Sequence, residues 1–239
     1  MAAIIQPPIG FAHRGARKHA PENTLEAFLL ALRLGATGLE SDVWVTADGH
    51  PVLDHDGIVK TAVRRRMIRD VNRSELPSFV PGLDDLYAAV GTETPLSLDL
   101  KDPNAIEATV NVVRAAGGNA PENFWLCDAN WEHLAANRSR FPDVRMVDST
   151  RLKRLRVGPE RYAAQLANAG IDAINMHHTD WNLGLTTLFH RFDLYTFGWD
   201  AQFDRVIRDL MSMEIDAVYC DDTDLMMSSL NRLTRYPID

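Results

Sequence analysis

Short β-like runs alternate with amphipathic helical stretches along almost the whole chain, and that alternation fixes the fold class. The runs fall at 9–13, 38–44, 95–100, 123–127, 144–147, 173–176, 194–197 and 217–220. Between them, Leu25, Phe28, Leu29 and Leu32 stand at i, i+3, i+4 and i+7, and Leu83, Leu86, Tyr87 and Val90 repeat the spacing. Gly35 and Gly91 follow as helix stops. Further helices are predicted over 104–116, 159–169 and 203–213, with shorter ones at 131–138, 186–190 and 225–233. Asn23, three residues before Glu26, predicts a capping box at the first helix. Strands each followed by a helix imply parallel pairing through right-handed crossovers. Eight such units in 239 residues point to an α/β fold, the (β/α)8 TIM barrel, as one domain over 1–239. A doubly wound open sheet is the alternative.

One departure breaks the repeat. After the second run, TADGHPVLDHD reads as a turn at Asp48 and Gly49 and a short extra strand ending on His55. A short hairpin or insertion therefore follows the second barrel strand, and residues 60–81 delay the next helix. Over 60–73, Lys60, Arg64, Arg65, Arg66, Arg69 and Arg73 are opposed only by Asp70. They read as a solvated face, or as an attractor for an anionic headgroup or lipid surface.

The net charge of −8 argues against a nucleic-acid partner but not against an anionic substrate. Cys127 and Cys220 lie in apolar runs and read as buried, reduced thiols. The opening MAAIIQPPIGF lacks a basic region and an apolar run of signal length. No window reaches the roughly 20 apolar residues of a transmembrane segment. A cytoplasmic location is the expectation, and a homo-oligomer is compatible with the sequence.

In a barrel, reactive groups gather at the C-terminal strand ends. Here those ends carry His13 and Arg14, Glu40 and Asp42, Asp99 and Lys101, then Asp128, Asp148, His177, Trp199 and Asp221. Period-two alternation puts Glu40 and Asp42 on one strand face and Leu39, Ser41 and Val43 on the other. In PLSLDLK the leucines share a face, which turns Asp99 and Lys101 inward. Three carboxylates converging in a barrel mouth repel until some protonate or a cation joins them. Oxygen ligands from Glu40, Asp42 and Asp99 suit Mg²⁺ or Ca²⁺. The rival account is a salt-bridge network in which Lys101 and Arg14 neutralise the cluster. His13 and His55, flanking these acids, suit a general acid and base. Arg14 offers a planar fork for phosphate oxygens.

HRG, PENT with its following LEAF, and GLESDVWVTADGHPVLDHD together resemble the glycerophosphodiester phosphodiesterase family. The likeness is concentrated in residues 10–56 and continues more weakly through SLDLK, YTFGWD and AVYCDDTDLM. It implies a (β/α)8 barrel that uses a divalent metal to hydrolyse a small glycerophosphodiester to an alcohol and glycerol 3-phosphate. By the same resemblance Glu40, Asp42 and Asp99 are metal ligands, Arg14 and Lys101 hold the phosphate, and His13 and His55 exchange protons. Glu22 matches a further motif position, although helix entry accounts for it equally well. The nucleophile it implies is the glycerol's neighbouring hydroxyl.

Two positions depart from the family pattern. Asp99 replaces a glutamate, which shortens the third ligand by one methylene. WLCDAN replaces a strand end that often carries Ser-Phe, so Asp128 is expected to bring negative charge near the alcohol pocket. Trp199 is either an apolar wall for the alcohol or ordinary barrel packing. His177 is the candidate for a further substrate contact at the mouth. His19, His50, His133 and His190 read as loop or surface residues, and Met211, Met226 and Met227 as core. Lysophospholipase D-like hydrolysis of lipid diesters and a non-catalytic phosphate-ligand-binding barrel are the rival functions. A binder has no need for two proton-transfer groups, which argues against the second.

Overall fold

Inward-facing and outward-facing strand residues build two nested cores. The computed structural model describes residues 4–60 and 65–235. In chain order, β1 (Ile9–Ala12), α1 (Leu25–Arg33) and β2 (Gly38–Val45) are followed by an insertion carrying β3 (Pro51–Leu53), β4 (Ile58–Lys60) and β5 (Arg65–Met67). Then come α2 (Leu83–Val90), β6 (Leu96–Leu100), α3 (Ala105–Ala116), β7 (Phe124–Asp128), α4 (Trp131–Asn137) and β8 (Arg145–Thr150). The chain ends with α5 (Pro159–Asn168), β9 (Ala173–His177), α6 (Leu183–His190), β10 (Tyr195–Trp199), α7 (Asp204–Ser212), β11 (Ala217–Cys220) and α8 (Thr223–Arg235). Parallel pairing passes from β2 through β6 to β11 in order, and β1 pairs with both β11 and β2. The eight predicted runs are the eight strands of this closed (β/α)8 barrel. Among the described residues, no helix is long and apolar enough to cross a membrane.

Outward residues such as Leu39, Leu98, Leu126 and Ile174 pack beneath the helices against Phe28, Leu86, Val110 and Leu166. Inward residues instead form an aromatic plug. Phe11 stacks on Tyr219 at 4.9 Å, and Trp125 meets Phe197 edge-on at 4.9 Å. Each side chain buried this way contributes about 1.5–3 kcal/mol. Gly38 points into the same space, where an added Cβ would lie 2.5 Å from the Phe11 ring. A side chain there would force β1 and β2 apart. Both cysteines are free and buried, and Met226 and Met227 are core residues, as expected.

The insertion follows β2 directly, as the sequence suggests, but its extra strand ends at Leu53 and not on His55. β3 pairs antiparallel with β2, and β4 with β5 forms a separate two-stranded sheet. Val52, Val59, Ile68, Val71, Leu76 and Val80 give it an apolar core of its own. Of the basic run, Arg66 pairs with Glu75 and Arg73 with Asp85, while Arg64 lies outside the described residues.

Four expectations need correction. Thr24, not Asn23, caps α1, its hydroxyl accepting from the Ala27 N–H. His190 is buried, 2.8 Å from Asp216, whose carboxylate also accepts from the Thr196 N–H. Asp128 binds His133 at 2.7 Å instead of charging the mouth. Asp148 faces outward between the inward-pointing Val147 and Ser149, and accepts from the Tyr162 hydroxyl at 2.8 Å.

Burial pushes the Asp148 carboxyl up to about 7, although the Tyr162 hydroxyl opposes the shift. The folded chain thus keeps a proton that the unfolded chain releases near roughly pH 4. Stability therefore falls as pH rises from about 4 to about 7. Each unit of such a shift is worth about 1.4 kcal/mol. Asp148→Asn should remove this loss, making the variant more stable at pH 8 by on the order of 1–3 kcal/mol. Thermal and denaturant melts at pH 4 and pH 8 check it, and an advantage equal at both would refute the assignment.

Candidate active site

Period-two geometry and barrel closure bring the acidic residues together. Register pairs Asp42 with Asp99 across β2 and β6, and Glu40 precedes Asp42 on the same inward face. One oxygen from each of Glu40, Asp42 and Asp99 lies within 4.8 Å of the others. Burial, helped by Asp42 and Asp99, pushes the Glu40 carboxyl up to about 8. Burial also raises Asp99, against the pull of Lys101. Asp99 lies deep among protein atoms, yet 33% of its side chain is open to the cavity.

Only part of this charge is neutralised by side chains. Lys101 Nζ sits 2.9 Å from Asp42 and 3.5 Å from Asp99. Burial alone would lower the Lys101 ammonium, but Asp99 and Asp42 hold it up at about 12. Arg14 Nε lies 3.2 Å from Asp42 without hydrogen-bond alignment, so that contact is purely electrostatic. Its guanidinium also pairs with Glu22 at 3.0 Å. Asp42 is thus gripped by two cations, Asp99 shares one of them at longer range, and Glu40 has neither. An all-oxygen set with this unmet charge fits a hard divalent cation.

Two imidazoles share the cavity. His13 follows β1, with Nδ1 2.6 Å from Asp221 and Nε2 3.8 Å from Glu40. Burial pulls its pKa down, but Glu40 and the Asp221 hydrogen bond outweigh burial and raise it. His55 follows β3, with Nδ1 2.8 Å from Asp56. Its loop is pinned where the Trp44 indole donates to the His55 carbonyl at 3.4 Å. Gly57 permits that approach, because a Cβ there would lie 2.3 Å from the indole. Each ring is anchored through Nδ1 by a carboxylate, which leaves Nε2 as the exchangeable nitrogen.

These groups line one cavity of about 580 Å³ at the C-terminal end of the strands. His13, Arg14, Glu40, His55, Asp99, Lys101 and Trp199 all reach it, and Asp42 lies just beneath. His177 does not line it. The His177 ring packs edge-on behind Trp199 at 4.6 Å and pairs with Asp200 at 3.0 Å. In that position the ring supports the tryptophan, one layer back from where a substrate contact was expected.

Sequence reasoning gave Asp221 no role, although strand parity turns both Tyr219 and Asp221 inward beside His13. It missed Asn23, which accepts from Ser41 and donates to Asp42 at 3.3 Å. Nothing in a single sequence marks that contact. Ser149, Asn175, Gln202 and the basic residues Arg151, Lys153 and Arg154 also line the cavity unanticipated.

Acidic oxygens suited to a cation, meeting basic groups suited to a phosphate in one barrel mouth, place the protein among phosphoric diester hydrolases. A family model, the Glycerophosphoryl diester phosphodiesterase family, matches residues 13–225, and the chain belongs to that family. A Mycobacterium tuberculosis relative named Probable glycerophosphodiester phosphodiesterase 2 is 28% identical, over 93% of this chain and 90% of its own. The Thermotoga maritima glycerophosphodiester phosphodiesterase structure superposes with a TM-score of 0.78 at 21% identity, covering 92% of this chain and 97% of its own. An Oleispira antarctica phosphodiesterase, solved with the product sn-glycerol-3-phosphate, gives 0.80 at 20% identity, covering 94% and 97%.

The Asp221 hydrogen bond favours the charged form of His13 and helps raise its pKa, so Asp221→Asn should lower it. NMR titration of the imidazole with divalent cations chelated reads this directly. An unmoved titration midpoint would remove Asp221 from the site.

Proposed function

We propose that the protein hydrolyses glycerophosphodiesters to an alcohol and glycerol 3-phosphate, with a divalent cation and two histidines. One observation carries the reading: carboxylate oxygens from Glu40, Asp42 and Asp99 converge in a cavity that His13 and His55 also line. Mg²⁺ or Ca²⁺ held by these carboxylates would supply Lewis-acid charge at a phosphoryl oxygen. Arg14 and Lys101 stand beside them, and their positive charges attract and orient the phosphate.

Proton movement falls to the imidazoles. One Nε2 takes the proton of the attacking glycerol hydroxyl as its oxygen bonds to phosphorus and a cyclic phosphate forms. The other Nε2 gives a proton to the departing alcohol oxygen as its bond to phosphorus breaks. Water then opens the cyclic phosphate to glycerol 3-phosphate by the same proton exchange in reverse. Asp221 and Asp56, on the far side of each ring, keep Nδ1 protonated and so fix which nitrogen is available. The aromatic plug beneath closes the barrel, so the site opens on one side only. Trp199 offers an apolar wall, braced by His177.

A second reading, hydrolysis of lipid diesters, is favoured by two exposed apolar residues near the mouth. Leu183 opens α6 and Phe203 caps α7, and they remain 52% and 69% exposed. Lysolipids therefore belong in the assay beside water-soluble glycerophosphodiesters.

His13→Ala and His55→Ala should each lower kcat by about 10²–10⁴-fold while leaving the melting temperature within a few degrees of wild type. Glycerol 3-phosphate release after chelation and readdition of Mg²⁺ or Ca²⁺ tests the rest. Glu40→Gln should shift the cation titration to higher concentration. Full turnover in chelator would sink the metal requirement, and full turnover in either histidine variant would remove that residue.

A further inference from the structure

The cavity has two unlike halves. The acids and imidazoles occupy β1, β2, β6 and the end of β3. Opposite them stand Ser149 and Asn175, paired across β8 and β9, with Trp199 beyond. Asn175 is 5% exposed, and its Oδ1 has no hydrogen-bond partner. A buried acceptor without a donor, on a cavity wall, is suited to a ligand hydroxyl.

Charge on the rim of this half is one-sided. After β8 the chain makes a 3-10 turn, Leu152–Arg154, that brings Lys153 and Arg154 to the cavity edge. Among the described residues, neither side chain has an ion-pair or hydrogen-bond partner. The neighbouring acids are already engaged. Asp200 pairs with His177 at 3.0 Å, Asp221 with His13 at 2.6 Å, and Asp180 with Arg151 at 2.5 Å. Arg151 in turn lies 5.5 Å from the centre of the Trp199 ring. Two positive charges without compensation therefore overlook the wall that carries Asn175.

We propose that this half binds the alcohol portion of the diester and favours alcohols bearing a second anionic group, a carboxylate or a phosphate, held by Lys153 and Arg154. A hydroxyl or ammonium group of the same ligand donates to the Asn175 amide oxygen. The inference rests on the phosphodiester reading of the site and names the substrate class within it. An exposed pair of cations works at longer range than a hydrogen bond, so the preference weakens as salt is added.

sn-Glycero-3-phosphoserine and sn-glycero-3-phosphoethanolamine differ by one carboxylate and form the first test pair. Glycerophosphoinositol with and without a ring phosphate forms the second. Affinities are measured by calorimetry with Ca²⁺ in a His13→Ala background, and turnover is followed separately in the wild-type chain. The expected result is at least tenfold tighter binding of the more anionic member of each pair at low salt. Lys153→Ala with Arg154→Ala should bring that ratio to within about twofold, and Lys153→Glu with Arg154→Glu should invert it. Equal affinities, tighter binding of the less anionic member, or a ratio unmoved by these substitutions would overturn the inference. Absence of turnover on every diester would overturn the function proposed above, while the binding ratio would still decide this one.

Discussion

Mutual repulsion among Glu40, Asp42 and Asp99 is the constraint from which the rest of the mouth follows. In-register pairing of β2 with β6 leaves Asp42 and Asp99 no means of separation, and strand parity holds Glu40 beside them. Residues around the cluster respond to that charge. Lys101 leaves β6 on the same face as Asp99 and swings to Asp42. Arg14 reaches Asp42 from the end of β1, and its backbone N–H donates to Glu40 at 2.9 Å. These contacts tether the side chains, but burial still raises Glu40 and Asp99, so the cluster retains an appetite for positive charge.

The aromatic plug sharpens that appetite. Phe11, Trp125, Phe197 and Tyr219 fill the barrel below the acids, and Tyr219 meets Ser97 at 3.0 Å to close the floor. Water is kept from one side of the carboxylates, and attraction between charges grows as the surroundings become less polar. Packing and catalysis are therefore not separate layers here. Gly38, which lets β1 and β2 close over Phe11, contributes to the site's electrostatics without touching a charged group.

Residues whose position follows from periodicity were legible in the sequence. The leucines of PLSLDLK define the outward face of β6, and the opposite face delivers Asp99 and Lys101 next to Glu40 and Asp42. The strand runs and the extra strand before His55 were legible for the same reason. Positions set by loops and by outward packing were not. Asp148 occupies an inner-looking motif, but one residue of parity sends it to Tyr162. Asp128 and His190 escape a reading by periodicity because the placement of α4 and α6 on the barrel brings His133 to Asp128 and His190 to Asp216. Asn23 looked like a cap because it has cap chemistry, yet tertiary contacts with Ser41 and Asp42 claimed it.

Asn23 also shows how the site is held in shape. Arg14 and Asn23 both adopt left-handed backbone, at φ 54° and 56°, a region that costs a residue with a Cβ about 1–2 kcal/mol. They are joined directly, the Asn23 N–H donating to the Arg14 carbonyl at 3.1 Å. Both side chains then converge on Asp42, one as a cation and one as an amide donor. The conformational cost is offset by charge-assisted contacts that exist only when β1 and β2 are closed into the barrel. Strain in the β1–α1 loop and charge at the end of β2 thus stabilise each other, and the loop that presents His13 and Arg14 is ordered by the acids it serves.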